Sequence, residues 1–408
     1  MNRRHLSIIV AGLLAGVALS GCGGGYGGGD SGVGDSGPPP DGGPPPPSGS
    51  LSGALSVQAQ DLGTLPTNPD ITGRDEAYSA SFQGYSVWLY GDTSLQQNDA
   101  SGRNFLSNSW SYTGDLDGPP TSAHFEERLD SVGSPTMVIQ ETPDEYSYDI
   151  AHYWNNCSAS SDPNCGARWG IWPSAMVTDP ATGYGLVFYM LESIDPFGGF
   201  TEQGTSVALW KSFDELPQRP SFGPTIVAGH PDLMFGSNET GFGSAALISS
   251  GMLYVYGCHH ADGGDKSCQV ARVSPETAQD KSTWTYYAGN GNWSSDEGAA
   301  VTVFTGLDIM SVSWNSYLQR YIACYDALGT QDVVLRTAPA PEGPWSAELV
   351  AFSSLANSDG SQAYDAQAHQ EFDANGGQTI YVTYSNSMSS GSVIRVVRLN
   401  LKIIGPLP

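Results

Sequence analysis

Five stretches of this chain share one shape: AYSASFQGYSVWLYGDT (77–93), WPSAMVTDPATGYGLVFYML (172–191), FGSAALISSGMLYVYGC (242–258), IMSVSWNSYLQRYIACYD (309–326) and AHQEFDANGGQTIYVTYS (368–385). Each reads as a short strand of small and apolar residues, a turn carrying Gly, Asn or Asp, then an aromatic-rich strand. Most are followed at a modest distance by a third strand: FLSNSWSY, SVALWKS, CQVARVS, DVVLRTA and VIRVVRL. A small antiparallel sheet has two faces to bury. Repeating it around an axis lets neighbouring sheets bury them against one another.

The expected fold is therefore all-β, a five-bladed β-propeller over residues 53–408, with a two-sheet sandwich of irregular hairpins as the rival. Uneven spacing of the units argues against a regular WD-type repeat. The long insertion 113–168 is expected to roof one face, and GALSVQAQ to close the ring against IRVVRLNLK.

The residues before this domain carry no core. Arg3 and Arg4 precede an apolar run, Leu6 to Leu19, too short to span a bilayer and shaped like a secretory signal. It ends in Leu19-Ser20-Gly21-Cys22, which looks like a bacterial lipobox; the alternative is an ordinary signal with a chance cysteine. On the first reading residues 1–21 are removed, Cys22 is acylated, and residues 22–52, nearly all Gly, Pro, Ser and Asp, form a solvated tether. The expected location is the bacterial cell envelope, at the outer membrane or cell surface, with the lipid as the only membrane contact.

Charge excludes one class of partner. With 16 Lys plus Arg and a formal net charge of −26, the chain repels nucleic acid. Six cysteines suit an oxidising compartment: Cys157 with Cys165 and Cys258 with Cys268 are expected to form two short-loop disulfides, and Cys324 in YIACYDA to be an inert core thiol. A zinc site of Cys258, His259, His260 and Cys268 is the alternative for the second pair.

In a propeller, residues just before each innermost strand crowd one mouth of the channel. Those positions hold Arg74 and Asp75, then Arg168, Trp169 and Trp172, then Asn238 and Glu239, then Asp308, and finally Tyr364, Asp365, His369 and Glu371. Carboxylates beside aromatic faces suit sugars, because acids exchange protons or hold hydroxyls while rings cover the apolar side of a pyranose or furanose. Each has an ordinary alternative. Asp75 is a general base or pairs with Arg74 and caps a turn; Asp92 is a second carboxylate or an Asx-type turn. Glu239 is a general acid or a solvated loop residue. His369 is a ligand or a satisfied core histidine, with Glu371 on its side of a strand. Trp169 and Trp172 stack on sugars or pack between blades, and Arg168 holds substrate or bridges loops. Asp115 and Asp117 in TGDLDG bind calcium or form a turn.

The stretches ITGRDEAYSASFQGYSVWLYGDTSL, LSNSWSYTGDLDG, RWGIWPSAMVTDP, FGSAAL, RTAPAPEGPWS and AHQEFDANGGQTIYVTYS together resemble the bacterial domain of unknown function 4185. That resemblance covers nearly all of the chain after the tether. It implies a five-bladed fold similar to glycoside hydrolases of the arabinanase and xylosidase type, with some relatives cleaving D-arabinan. It further implies Asp75 and Asp92 as the family's two acids. The opening acid here sits in Arg74-Asp75-Glu76 rather than Thr-Asp-Leu-Gly, and Gln370 replaces a proline of the relatives' His-Pro-Glu. The expected function is hydrolysis of a cell-wall or environmental polysaccharide, arabinan-like, with Asp75 as base, Glu239 or Glu371 as acid and Asp92 tuning them. The alternatives are a non-catalytic carbohydrate-binding propeller and a surface-interaction scaffold. No cofactor is required; a calcium or sodium ion in the central channel is a further expectation.

Overall fold

The computed structural model describes residues 49–154, 157–223, 225–259, 266–389 and 391–408. The expected signal, Cys22 and most of the tether lie outside these residues, as does His260. Among the described residues the architecture is mostly strands, in antiparallel sheets, and five sheets have four or more strands. Sheet I comprises Tyr78–Phe82, Tyr85–Tyr90, Ser109–Thr113 and Glu126–Glu127; sheet II comprises Arg168–Thr178, Gly185–Ile194, Phe200–Trp210 and Phe235–Gly236. Sheet III runs from Phe242–Ser249 through Met252–His259 and Lys266–Val273 to Thr285–Tyr287 and Trp293–Ser294. Sheet IV comprises Ser311–Asn315, Arg320–Asp326, Asp332–Ala338 and Leu349–Ser353. Sheet V comprises Tyr364–Ala368, Thr379–Met388 and Gly391–Ile403, completed by Leu55–Thr64.

Local chemistry sets the hairpins. The first turn, Gln83-Gly84, has φ of 48° and 89°, and Ser250-Gly251 has 50° and 78°. Two consecutive positive φ values match the right-handed twist of the flanking strands, which is why a glycine ends each turn. The strand Tyr85–Tyr90 is buried from Ser86 onward on both faces, so its near-continuous apolar run reflects packing on two sides rather than one.

Four apolar clusters join the sheets in sequence. One spans sheets I, II and III through Phe82, Val87, Phe188, Trp210 and Phe242. Tyr256 and Val312 help join III to IV, and Leu335 and Val382 help join IV to V. Trp88 and Tyr90 with Phe372 and Val396 join V back to I. The expected closing pair is present: Leu55–Thr64 runs antiparallel to Gly391–Ile403, with Leu55 opposite Ile403 and Ala59 opposite Leu399. Joining the last sheet with the first strand ties the two ends of the domain together and leaves no open seam between them.

Both expected disulfides form, Cys157–Cys165 and Cys258–Cys268, the latter between residues directly opposite on adjacent strands. Two bonded sulfurs leave no thiolates for zinc. Cys324 is buried and free. The insertion after sheet I carries the helix Pro143–Asp149, opened by a capping box in which Thr142 and Glu145 satisfy each other's backbone amides. Glu145 then pairs with Arg219, which also pairs with Asp232.

Candidate functional site

The chain leaves sheet I at Gly91 and enters a small sheet of Ile71–Arg74, Thr93–Leu95 and Phe105–Leu106, so Asp92 sits at the step between two sheets. Its carboxylate is gripped from sheet II. Arg168 Nη2 donates to Oδ2 at 2.6 Å and Trp172 Nε1 donates to Oδ1 at 3.0 Å. Arg168 is itself held with its guanidinium 4.5 Å from the centre of the Phe105 ring.

Asp75 lies beside Asp92 in a different environment. Tyr364 of sheet V donates its hydroxyl to Oδ2 at 3.0 Å. Burial, with the Asp92 charge adding to it, pushes the Asp75 carboxyl up to about 7. Its neighbour Glu76 is buried and adopts φ of 59°, and Asp365 is buried with φ of 65°. The two are linked: the Glu76 amide donates to Asp365 Oδ2 at 3.2 Å and to Ser385 Oγ at 3.0 Å. Burial raises both carboxyls well above the usual range, each further raised by neighbouring acids. Two non-glycine residues held left-handed at one spot store strain of the kind found at working sites. Gly91 makes room for this arrangement, since a Cβ there would lie 2.9 Å from Asp75 Oδ1 and 2.9 Å from Glu76 Cδ.

A cavity of about 90 Å³ is lined by Glu76 and Trp172, and by Glu202, Glu239 and Asp308 among others. Glu239 enters it already engaged: Lys281 binds Oε1, and the Gly236 amide donates to Oε2 at 2.8 Å. Glu192 stands directly opposite Glu202 on the neighbouring strand, and burial, then Glu202 and Asp308, push its carboxyl up to about 8. Among the described residues no three His, Cys, Asp or Glu side chains converge closely enough to hold a metal ion. Asp115 accepts the His124 amide at 2.9 Å in a turn.

Several residues expected at the mouth are elsewhere. The innermost strand of sheet V ends at Ala368, and Glu371 lies in the 3-10 turn Gln370–Phe372, so strand alternation does not pair it with His369. Glu371 accepts from Ser86 at 2.8 Å. Ser86 is four strand positions from Tyr90, roughly 13 Å back from the Asp92 end. His369 is buried, stacked on Trp88 at 4.1 Å, and bonded at Nδ1 to Ser79 and at Nε2 to Thr383, both at 2.7 Å. Burial drives its pKa to about 3, making it a neutral core group. Arg74 is buried over the Tyr90 ring and pairs with Glu127 at 3.0 Å. Trp169 packs near Tyr148 and His230, with its amide donating to Asp149. Asp365 supports the Glu76 backbone from below the surface.

Glu76, Glu192, Glu202 and Asp149 are among the acids that escaped the sequence reading. Glu76 alone carried a local signal, standing directly after Asp75 before a buried strand.

No curated protein matches the sequence. Similar solved structures include a candidate hydrolase from Bacteroides ovatus, 13% identical, covering 84% of this chain and 90% of that one with a TM-score of 0.50. A Podospora anserina α-L-arabinofuranosidase in complex with cellotriose is 12% identical over 86% and 98% of the two chains, TM-score 0.41. A GH43_1 enzyme from Xanthomonas citri complexed with xylose is 14% identical over 82% and 89%, TM-score 0.45. At such identities the likeness to the Bacteroides protein is one of fold. Residues 53–389 match the family described as a domain of unknown function (DUF4185), and the chain belongs to that family.

Proposed function

We propose that the five sheets are the blades of a β-propeller and that the mouth holding Asp75 and Asp92 hydrolyses glycosidic bonds in a polysaccharide. One observation carries this reading: two neighbouring carboxyls sit in environments that divide their roles. Asp92 is held by a guanidinium and an indole N–H, whereas burial leaves Asp75 near 7. A carboxyl poised near neutrality beside a fixed carboxylate is what proton delivery to a leaving glycosidic oxygen requires. Asp75 then acts as the acid rather than the base. Asp92 faces the positive charge that develops on the sugar ring. The engagement of Glu239 by Lys281 and the distance of Glu371 leave neither as the better acid.

The test is product release by the full chain from a panel of neutral arabinans, xylans and arabinogalactans. Release from at least one is expected; silence on all of them would remove the hydrolase reading. A second reading, a non-catalytic carbohydrate-binding propeller, is favoured by the Arg168 and Trp172 grip on Asp92, which engages both of its carboxylate oxygens. It predicts glycan retention on affinity gels without product.

The envelope location rests on residues 1–22 alone. Cys22→Ala is expected to abolish incorporation of labelled fatty acid and to move the protein from the membrane to the soluble fraction, as loss of several acyl chains demands. Labelling that persists in the variant would refute lipidation at this cysteine.

A further inference from the structure

A second depression, about 600 Å³ in volume, opens beside sheet III. Its lining combines the apolar Phe222 and Ile226 and the ring of Tyr286 with the polar Glu239, Lys281 and Glu297, among others. Ile226 is 44% exposed, an apolar side chain left facing water inside a concave surface. The polar groups of the lining are organised rather than loose. Lys281 lies 4.3 Å from the centre of the Phe235 ring and bridges Glu239 to Glu297 Oε2, the latter at 3.7 Å, while Glu297 Oε1 accepts the Thr240 amide at 2.9 Å. An apolar wall facing a few convergent polar groups is the usual make-up of a small-molecule site, and this volume falls in the ordinary range.

The two depressions share one wall residue. Glu239 lines both the groove and the smaller cavity that Trp172 and Glu76 share. Trp172, which lines the smaller cavity, donates to Asp92, so the order Asp92, Trp172, Glu239, Ile226 runs from the carboxyl pair to the groove through one bond and two linings. Charge narrows what that ligand can be. The groove offers the acids Glu239, Asp280 and Glu297 against the single ammonium of Lys281, and the whole chain carries −26. A polyanion such as a polyuronate is repelled along the full path.

Resting on the carbohydrate reading above, we infer that the groove of Phe222, Ile226 and Lys281 is an accessory subsite that holds further sugars of a neutral glycan chain whose reacting unit sits at Asp75 and Asp92. Hydroxyls meet Glu239, Lys281 and Glu297, and the apolar face of a ring meets Ile226 and Phe222. Glu239 is then a positioning residue shared by neighbouring sugars.

The test uses the full chain carrying Asp75→Asn, so that ligands are not consumed, and measures binding of neutral arabino- and xylo-oligosaccharides from about two to about eight sugars. Affinity is expected to rise about tenfold from the shortest to the longest, the scale of one well-packed apolar contact. Ser295→Trp, which plugs the groove from an exposed lining position, and Ile226→Asp are each expected to erase that gain, with melting curves confirming that both fold. Polygalacturonate is expected to bind at least tenfold more weakly than a neutral chain. Affinity independent of length, a gain that survives both substitutions, or equal binding of polygalacturonate would overturn the subsite. Absence of binding to any glycan would overturn the carbohydrate reading along with it.

Discussion

Asp75→Asn lowers kcat on the responsive glycan by about a thousandfold, within the range a general acid contributes, and does so without unfolding the protein. Asparagine keeps the shape of the carboxyl and can still accept the Tyr364 hydroxyl, which reaches Asp75 at 3.0 Å; what it loses is the proton. The pH profile carries the stronger evidence. With the wild-type carboxyl pushed up to about 7 by burial and the Asp92 charge, its active, protonated form prevails below that pH. Activity therefore declines as pH rises through about 7, and this limb disappears from the residual activity of the variant. A base in the same position would give the opposite limb, with activity failing as pH falls, so one profile separates the two roles. Gly91→Ala is the companion variant. It removes no carboxyl, yet its Cβ would meet Asp75 Oδ1 and Glu76 Cδ at 2.9 Å each, and displacing the acid by a few tenths of an ångström reduces kcat more than it raises KM. Wild-type kcat in both variants would leave Asp75 without a catalytic role.

Much of the fold was written in local patterns. The Gln83-Gly84 and Ser250-Gly251 turns mark hairpins because positive φ belongs to few residues, and the pair Cys258–Cys268 was legible because a short loop brings strand neighbours into register. The grip on Asp92 was half legible. Arg168 and Trp172 were singled out from the sequence for a sugar, and the structure turns both toward the carboxylate that ends the first aromatic strand.

Other parts depended on features that no local pattern records. His369 and Glu371 looked paired because alternation was extended past Ala368; a 3-10 turn begins there, yet both side chains still reach Ser79, and Glu371 reaches Ser86 as well. Arg74 stands next to Asp75 in sequence and faces Glu127, which is 53 residues away along the chain. Asp75 and Asp365 were legible, but other acids whose chemistry burial alters were not. Glu192 in LESI and Asp149 in YSYD carry no local signal, since their burial arises only when sheet II and the insertion close over them. Carboxyls that owe their behaviour to burial and stand in no recognisable motif are therefore found in structure before they are found in sequence.

Those same acids make the fold sensitive to alkali. Burial first, with Glu141 nearby, pushes Asp149 up to about 8; burial first, with Glu202 and Asp308, does the same to Glu192; burial with Glu371 does so to Asp373. In the unfolded chain each ionises near 4. The folded state thus binds protons that the unfolded state has released, and the stability this supplies is complete below about pH 4 and lost progressively as pH rises to about 8. His369 works in the other direction: held neutral with a pKa of about 3 against 6.5 when free, it favours folding as pH rises, but only up to about 6.5. Above that value the carboxyls act alone. The melting temperature is therefore expected to fall by about 5 °C between pH 6.5 and about pH 8.5, each group contributing on the order of 1 kcal/mol per pH unit before discounting for relaxation. Asp149→Asn and Glu192→Gln are each expected to flatten that slope, since a neutral amide has no proton to lose. Asparagine at 149 can still accept the Trp169 amide, bonded at 2.9 Å, so the flattening comes without loss of the contact that ties the helix Pro143–Asp149 to the strand bearing Arg168. A melting temperature that rises between the two pH values, or a slope unchanged in both variants, would show that these carboxyls ionise freely in the folded protein. If the slope is present, the insertion that braces Arg168 and the proton on Asp75 fail in the same direction, and glycan turnover is confined to neutral and acidic conditions by the packing that built the site.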